Sequence, residues 1–147
     1  MKICWLPEFI QRITKAYSTS CKPICEKFDI SRISFDILLF LANNPQFYTA
    51  KDVSRYRNLK PNVVSVHVEQ LVKDGYLLRE SVAEDRRKVR LRYTPKAEAV
   101  ILQGQQMQKA FHRHLLEGLS REDIELFRSC FEKMMENAGN LPDSPFV

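Results

Sequence analysis

Apolar residues recur at helical spacing over most of the chain, and only one stretch alternates like a β-strand. In residues 60–74 the apolar side chains share one helical face, and Gly75 stands where that helix would end. Residues 89–93 instead alternate apolar and basic side chains, which is typical of a strand with one face in solvent. The pattern therefore predicts a mainly α fold with a small β-hairpin.

A helix, a turn and a second helix precede the predicted hairpin. Thr49 suits the N-cap of a short helix at residues 50–56, and Pro61 suits the first turn of the helix that follows. A charged hairpin at residues 83–88 then joins a strand at residues 76–79 to the alternating strand. A helix-turn-helix followed by a basic hairpin predicts a winged helix.

Longer apolar stripes lie on both sides of this segment. Residues 6–28 follow a helical rhythm in which Pro23 predicts a kink or break near residues 20–22. Further helices are predicted at about residues 35–42, from Pro95 onwards, and from a capping box at Ser120. The two ends carry more apolar surface than one small winged helix needs, which predicts a homodimer through these residues: Phe9, Ile10, Phe127, Phe131, Met134 and Met135.

Charge is concentrated in the predicted winged helix. The chain has a formal net charge of +5, with 23 Lys and Arg against 18 Asp and Glu. Residues 51–96 hold twelve of these basic residues and six of the acidic ones, so the remainder is close to neutral. A local excess of cations on such a fold predicts contact with the phosphates of double-stranded DNA.

Other classes of protein are less consistent with the sequence. No apolar run is long enough to span a membrane, and the N-terminal residues lack the apolar region of a signal peptide. We therefore expect a cytoplasmic protein with reduced cysteines. The sequence has no glycine-rich phosphate loop, nucleophile elbow or metalloprotease pair, so we expect neither an enzyme nor a cofactor.

Two motifs resemble those of the MarR family. The resemblance covers residues 30–102, and the other helices follow the layout of the family. Two signatures carry it: Asp85-Arg86-Arg87 with Thr94, as in D-R-R-x-x-x-L/V-x-L-T-x-x-G, and Leu71-x-x-x-Gly75-Tyr76-Leu77-x-Arg79, as in L-x-x-x-G-L-[IV]-x-R. The chain differs at Tyr93 and Ala97, where the family has Leu and Gly, and at Ser65-Val66, where Thr-Arg is common.

The predicted DNA-binding residues lie on the second helix, at two helix starts and on the wing. Polar side chains can bond to base edges, apolar ones can contact thymine methyl groups, and arginines fit a narrow minor groove. A histidine at the flank of a helix often only satisfies a local partner, which is the alternative for His67. The residues are Thr49, Lys60, Pro61, Asn62, Ser65, Val66, His67, Arg86, Arg87 and Lys88. The resemblance also implies that Asp85 pairs with Arg87 and stiffens the wing.

Cys21 and Cys25 are four residues apart and could form a redox pair. They could also contribute to a metal site with His112 or His114, but no C-x-x-C motif or complete ligand set is present. Packing is the favoured interpretation, because buried cysteine is common in protein cores. No metal site is predicted.

The resemblance implies a homodimeric winged-helix transcriptional regulator that binds a pseudo-palindromic operator and acts as a repressor. Residues 30–94 would form the DNA-binding lobe of a single domain covering residues 1–147, and residues 1–29 and 95–140 would form the dimerisation region. Family members often release DNA on binding a small aromatic or phenolic effector. Two alternatives stay open, namely a thiol-based oxidant sensor and a winged helix that binds other proteins and has no operator.

Overall fold

The structure is a computed structural model that describes residues 5–140. It confirms the mainly helical winged-helix fold with one antiparallel hairpin. The described chain divides into two compact units, residues 5–111 and residues 112–140. The elements, in order, are α1 (Trp5–Phe28), α2 (Arg32–Asn43), α3 (Ala50–Arg57), α4 (Pro61–Lys73), β1 (Leu77–Val82), β2 (Asp85–Tyr93), α5 (Pro95–Leu115) and α6 (Arg121–Gly139).

Of the kink or break predicted near Pro23, the break is wrong, because α1 runs without interruption from Trp5 to Phe28. A proline inside a helix removes one backbone hydrogen bond and crowds the preceding turn. Here Cys21 and Ile24 are both buried in the core on either side of the proline. Their packing holds this part of the helix in place and offsets the local cost.

The first unit packs around α2, which has seven buried residues. Ser31 forms its N-cap, where the side chain accepts a hydrogen bond from the N–H of Ser34, as expected for a serine at this position. The surrounding core draws on both the winged helix and the helices that flank it. Its other buried residues are Cys21, Ile24, Val53, Val64, Val68, Leu71, Tyr76, Leu77, Leu91, Ala97, Val100 and Ile101.

Gly104 lets α5 pack closely against α2. A Cβ atom at this position would lie 2.6 Å from Leu39 Cδ2 and 3.0 Å from Phe35 Cε2. Both neighbours are buried, so neither has free space into which it could move. The close packing of α5 against α2 therefore requires a residue without a side chain at position 104.

The second unit is built on α6. Ser120 and Asp123 form the predicted capping box, in which the side chain of each residue accepts a hydrogen bond from the backbone N–H of the other. No residue of α6 is buried, although its apolar positions recur at helical spacing. The sequence after Gly139, with prolines at positions 142 and 145, predicts an irregular tail, and residues 141–147 lie outside the described residues.

The loop that joins the two strands of the wing is shorter than the sequence predicts. The hairpin loop was predicted at residues 83–88, but only Ala83 and Glu84 separate the two strands. Ser81 pairs with Val89, whereas Val82 pairs with Asp85. Three residues of β2 (86–88) therefore have no residue opposite them in β1, and they form a bulge near the tip of the wing.

The wing is tied to the rest of the first unit at its base. The N–H of Leu91 donates to the carbonyl of Tyr48 at 2.8 Å, which joins β2 to the loop before α3. The Thr94 hydroxyl donates to the carbonyl of Gly75 at 2.6 Å, just after α4.

Within residues 5–140, no helix has both the length and the apolar character needed to cross a membrane.

Candidate nucleic-acid interface

The exposed face of α4 carries three of the predicted base-reading residues. Val64, Val68 and Leu71 are buried, so the helix is held by one apolar face. Asn62, Ser65 and Val66 are exposed on the other side. Val66 is 67% exposed, so its aliphatic side chain contributes little to the packing of α4. This face is therefore available for contact with another molecule.

The turn between α3 and α4 fixes where this face begins. Asn58 adopts the left-handed conformation with φ of 50°, and the Ser54 hydroxyl donates to the carbonyl of Leu59 at 2.6 Å. Lys60 then occupies the N-cap of α4 without a side-chain capping bond, and Pro61 takes the first helical position. Both residues are exposed, so the start of α4 is open to solvent as the sequence predicted.

His67 faces the N-terminus of α2 and is only partly exposed. Its Nδ1 atom lies 3.1 Å from the hydroxyl oxygens of both Ser31 and Ser34. The Ser31 hydroxyl also donates to the Ser34 hydroxyl, so the ring and the two serines form one hydrogen-bond network. The ring thus satisfies Ser34, a buried polar residue, and joins α4 to α2.

Thr49 also forms its hydrogen bonds locally, at the start of α3. It forms a capping box with Asp52, whose carboxylate accepts from the Thr49 N–H at 2.9 Å and from its hydroxyl at 2.7 Å. The threonine oxygen in turn accepts from the N–H of Asp52. This capping box stabilises the start of α3. It also engages the hydroxyl proton of Thr49 in a hydrogen bond to Asp52.

The tip of the wing presents cations without local neutralisation. Arg86, Arg87 and Lys88 are exposed, and none of them has a carboxylate partner within the part of the chain that the structure describes. Asp85 does bond to Arg87, but through the backbone N–H at 3.0 Å and not through the guanidinium group. Asp85 therefore braces the bulge while the positive charge of Arg87 remains available.

Two arginines closer to the base of the wing are neutralised by carboxylates. Arg79 lies 2.8 Å from Glu69 on α4, and Arg92 lies 3.0 Å from Glu80 on β1. The pairing of Glu69 with Arg79 was missed from the sequence. Helical spacing places Glu69 on the exposed face of α4, but no sequence pattern indicates that a residue ten positions later reaches it.

Cys21 and Cys25, for which packing is the favoured interpretation and a redox pair the alternative, are free thiols with little access to solvent. Cys21 is fully buried, and burial raises its pKa from 9.0 to about 11. Burial also raises the pKa of the partly buried Cys25. Since the thiolate is the reactive form, this environment opposes reaction with oxidants. Across residues 5–140, no three metal-ligating side chains lie close enough together to hold a metal ion.

The sequence of the winged helix matches a known family. The model of the MarR family matches residues 28–88, which include α2, the helix-turn-helix and the tip of the wing. Residues 28–88 of the chain are therefore similar in sequence to the MarR family. The chain's departures from the family motifs at Ser65, Val66, Tyr93 and Ala97 lie within an otherwise intact winged helix.

Solved structures of this family have the same fold. The transcription regulator MarR from Oenococcus oeni PSU-1 is 18% identical, with a TM-score of 0.72 over 89% of this chain and 98% of that chain. The S. aureus MepR–DNA complex is 18% identical, with a TM-score of 0.75 over 93% and 96%. A putative MarR family regulator from Listeria monocytogenes, complexed with 26mer DNA, is 16% identical, with a TM-score of 0.78 over 90% and 88%.

Proposed function

We propose that this chain is a MarR-family transcriptional repressor that binds a pseudo-palindromic operator as a homodimer. Helix α4 enters the major groove, where Asn62, Ser65 and Val66 contact base edges, and the wing enters the minor groove with Arg86 and Arg87. Lys60, Pro61 and Lys88 lie at the edges of the same surface, and Lys60 and Lys88 contact phosphates there.

The observation that carries this proposal is the unneutralised bulge at the wing tip. Three consecutive cations at residues 86–88 stand exposed, without carboxylate partners in residues 5–140, while Arg79 and Arg92 nearer the base of the wing are paired. An ordinary solvated hairpin would gain from local pairing of such charges. Their exposure beside an open helix face instead suits a polyanion with grooves.

The dimer is supported by apolar surface that one chain leaves uncovered. Phe9 and Ile10 are exposed on α1, and an open groove of about 880 Å³ follows the same helix. On α6, Phe131 is 47% exposed and Met135 is 61% exposed. Large apolar side chains in solvent at this density are a mark of protein interfaces. A two-fold symmetric dimer would also match two operator half-sites about one DNA turn apart.

A small aromatic or phenolic effector remains a prediction. The cavity that α1, α2 and α5 line near Tyr17, Asp36 and Gln108 has a volume of only about 90 Å³. Ligand pockets usually measure roughly 300–1,000 Å³, so an effector at this place would have to widen the cavity. Release of DNA by such a compound would therefore be accompanied by movement of these helices.

The oxidant-sensor alternative is opposed by the environment of its cysteines. A sensor thiol needs exposure and a lowered pKa, whereas Cys21 is buried and has a raised pKa. The double variant Cys21→Ser/Cys25→Ser should bind DNA like the wild type with or without peroxide. Release of DNA by peroxide that this variant abolishes would favour the sensor.

The test of the DNA interface compares Arg86→Ala with Asn62→Ala. Binding to the duplex upstream of the coding region and to a scrambled duplex is measured across a salt series. Loss of the Arg86 charge should weaken binding to both duplexes and reduce the slope of log affinity against log salt by about one. Loss of Asn62 should cost roughly 1–3 kcal/mol on the cognate duplex alone, with little change in slope.

The same titration separates the regulator from a protein-interaction module. A module without an operator would bind the upstream duplex no better than the scrambled one at every salt concentration. If both variants bind the cognate duplex as the wild type does, the proposed interface is wrong.

A further inference from the structure

An open groove of about 640 Å³ lies between the start of α3 and the wing, and we name it the α3–wing groove. Lys51 and Arg55 line it from α3, and Arg87 and Lys88 line it from β2. The two pairs are more than thirty residues apart in sequence, and the fold brings them to one depression. Neither Lys51 nor Arg55 belongs to the set of residues that the sequence motifs single out.

The α3–wing groove has a positive charge that the protein itself does not neutralise. None of its four cations has an ion-pair partner among residues 5–140. Asp52 supplies the groove's one carboxylate from the described chain, and Thr49 binds it through both its N–H and its hydroxyl group. Four cations therefore face a single, already engaged acid.

The groove is also held in shape by contacts around it. The Tyr56 ring stacks on Phe47 with centroids 4.2 Å apart, and the Arg55 guanidinium lies 5.5 Å from the Tyr56 centroid. On the wing side, Arg90 lies 4.5 Å from the centroid of Tyr48, the residue whose carbonyl accepts from β2. These contacts reduce the freedom that the side chains would lose when an anion binds.

We propose that the α3–wing groove binds phosphates of one DNA strand, with Lys51 and Arg55 as contacts from α3. The inference rests on the proposed function, because α4 and the wing would occupy adjacent major and minor grooves. Those two grooves share one backbone strand, and the first helix of a helix-turn-helix crosses that backbone. A depression lined by this helix and by the wing, rich in free cations, fits the shared strand.

This site makes a different energetic contribution from α4. Contacts to phosphates release counterions and carry no sequence information. Lys51 and Arg55 therefore increase the affinity for any duplex and set the position of the protein along it. Base preference remains with α4.

The test uses Lys51→Gln, Arg55→Gln and the double variant in the full chain, with Lys109→Gln as the matched control. Lys109 is an exposed lysine on α5 that lies outside the groove and the wing. Each single groove variant should reduce the log affinity–log salt slope by about one, and the double variant by about two, equally on the upstream and scrambled duplexes. Lys109→Gln should leave the slope unchanged. Thermal unfolding of each variant checks that the fold is retained.

A second measurement distinguishes duplex phosphates from a free anion. Inorganic phosphate is titrated into the wild type by calorimetry at constant ionic strength, and no saturable binding below roughly 10 mM is expected, since one phosphate gains little from a surface matched to a polymer. Saturable phosphate binding that Arg55→Gln abolishes would make the groove a free-anion site and overturn the proposal.

The failures of the two proposals are distinguishable. If the wild type binds the upstream duplex and the double variant keeps the wild-type slope, the groove proposal is wrong and the proposed function stands. If the wild type binds neither duplex, both proposals are wrong.

Discussion

Helices α2 and α6 carry similar apolar patterns but lie in opposite environments. Seven of the twelve residues of α2 are buried, whereas none of the nineteen residues of α6 is buried. Phe127 and Phe131 stack with centroids 5.8 Å apart, and yet both remain about half exposed. A periodic apolar face therefore identifies a surface that has to be covered, but it does not identify what covers it.

The two helices are expected to contribute to different kinds of stability, namely the folding of one chain and the association of two. The α2 face is satisfied within one copy, so changes there should act on folding. The α6 face is unsatisfied in one copy, so changes there should act on association.

The largest effect is expected at Phe131. Phe131→Glu would place one carboxylate from each copy into the proposed dimer interface, and burial of an unpaired charge costs several kcal/mol. We expect the dimer to weaken by about 100-fold or more, which corresponds to roughly 3 kcal/mol. Sedimentation or light scattering across a concentration series measures this change.

Ser129→Glu is the matched control for Phe131→Glu, because it adds the same charge on the opposite face of α6. This control should remain dimeric. A wild type that is monomeric at micromolar concentration would contradict the division between α2 and α6.

The next effect is expected where α5 contacts α2. Gly104→Val should lower the free energy of unfolding by about 2–3 kcal/mol, because its side chain would overlap Leu39 and Phe35. Urea unfolding measures the loss. Gly139→Ala is the control, since a Cβ there meets nothing within 4 Å, and it should be neutral or slightly stabilising. Equal stability of Gly104→Val and the wild type would contradict the close packing.

The smallest effect concerns the buried thiol of Cys21. Its pKa is about 11 in the folded chain against an ordinary value of 9.0, so the unfolded chain loses this proton first as the pH rises. The stability linked to this group is fully present below about pH 9 and is lost between about pH 9 and 11, by at most about 1.4 kcal/mol per pH unit. The urea unfolding free energy of the wild type, relative to Cys21→Ala, should fall by about 1 kcal/mol between pH 8 and pH 10.

Cys130→Ala is measured alongside, because it removes a thiol that lies exposed on α6. A constant difference between the wild type and Cys21→Ala over this pH range would show that burial does not perturb the Cys21 thiol.

Much of the fold could be predicted from the sequence because its signals are local. The predicted caps at Thr49 and Ser120 each act within a few residues. Pro23 misled for the same reason, since its local cost is offset by packing of Cys21 and Ile24 that no local pattern reveals.

The candidate interface was less accessible to sequence analysis. Motif spacing selected the exposed residues Asn62 and Arg86, but side-chain orientation could not be read from it. His67 faces Ser34, and Glu69 is paired with Arg79, because elements that are distant in sequence meet there. The α3–wing groove was missed since it joins α3 to residues of β2 across the intervening helix α4.

The bulge in β2 gives the wing a tip whose length can change independently of its base. Pairing from Ser81–Val89 down to Leu77–Tyr93 is regular, and the bond between Leu91 and Tyr48 holds the base of β2. Insertions or deletions within residues 86–88 would therefore alter the reach and charge of the tip without shifting the register below it. The reach of the tip is thus separable from the packing that holds the base of the wing.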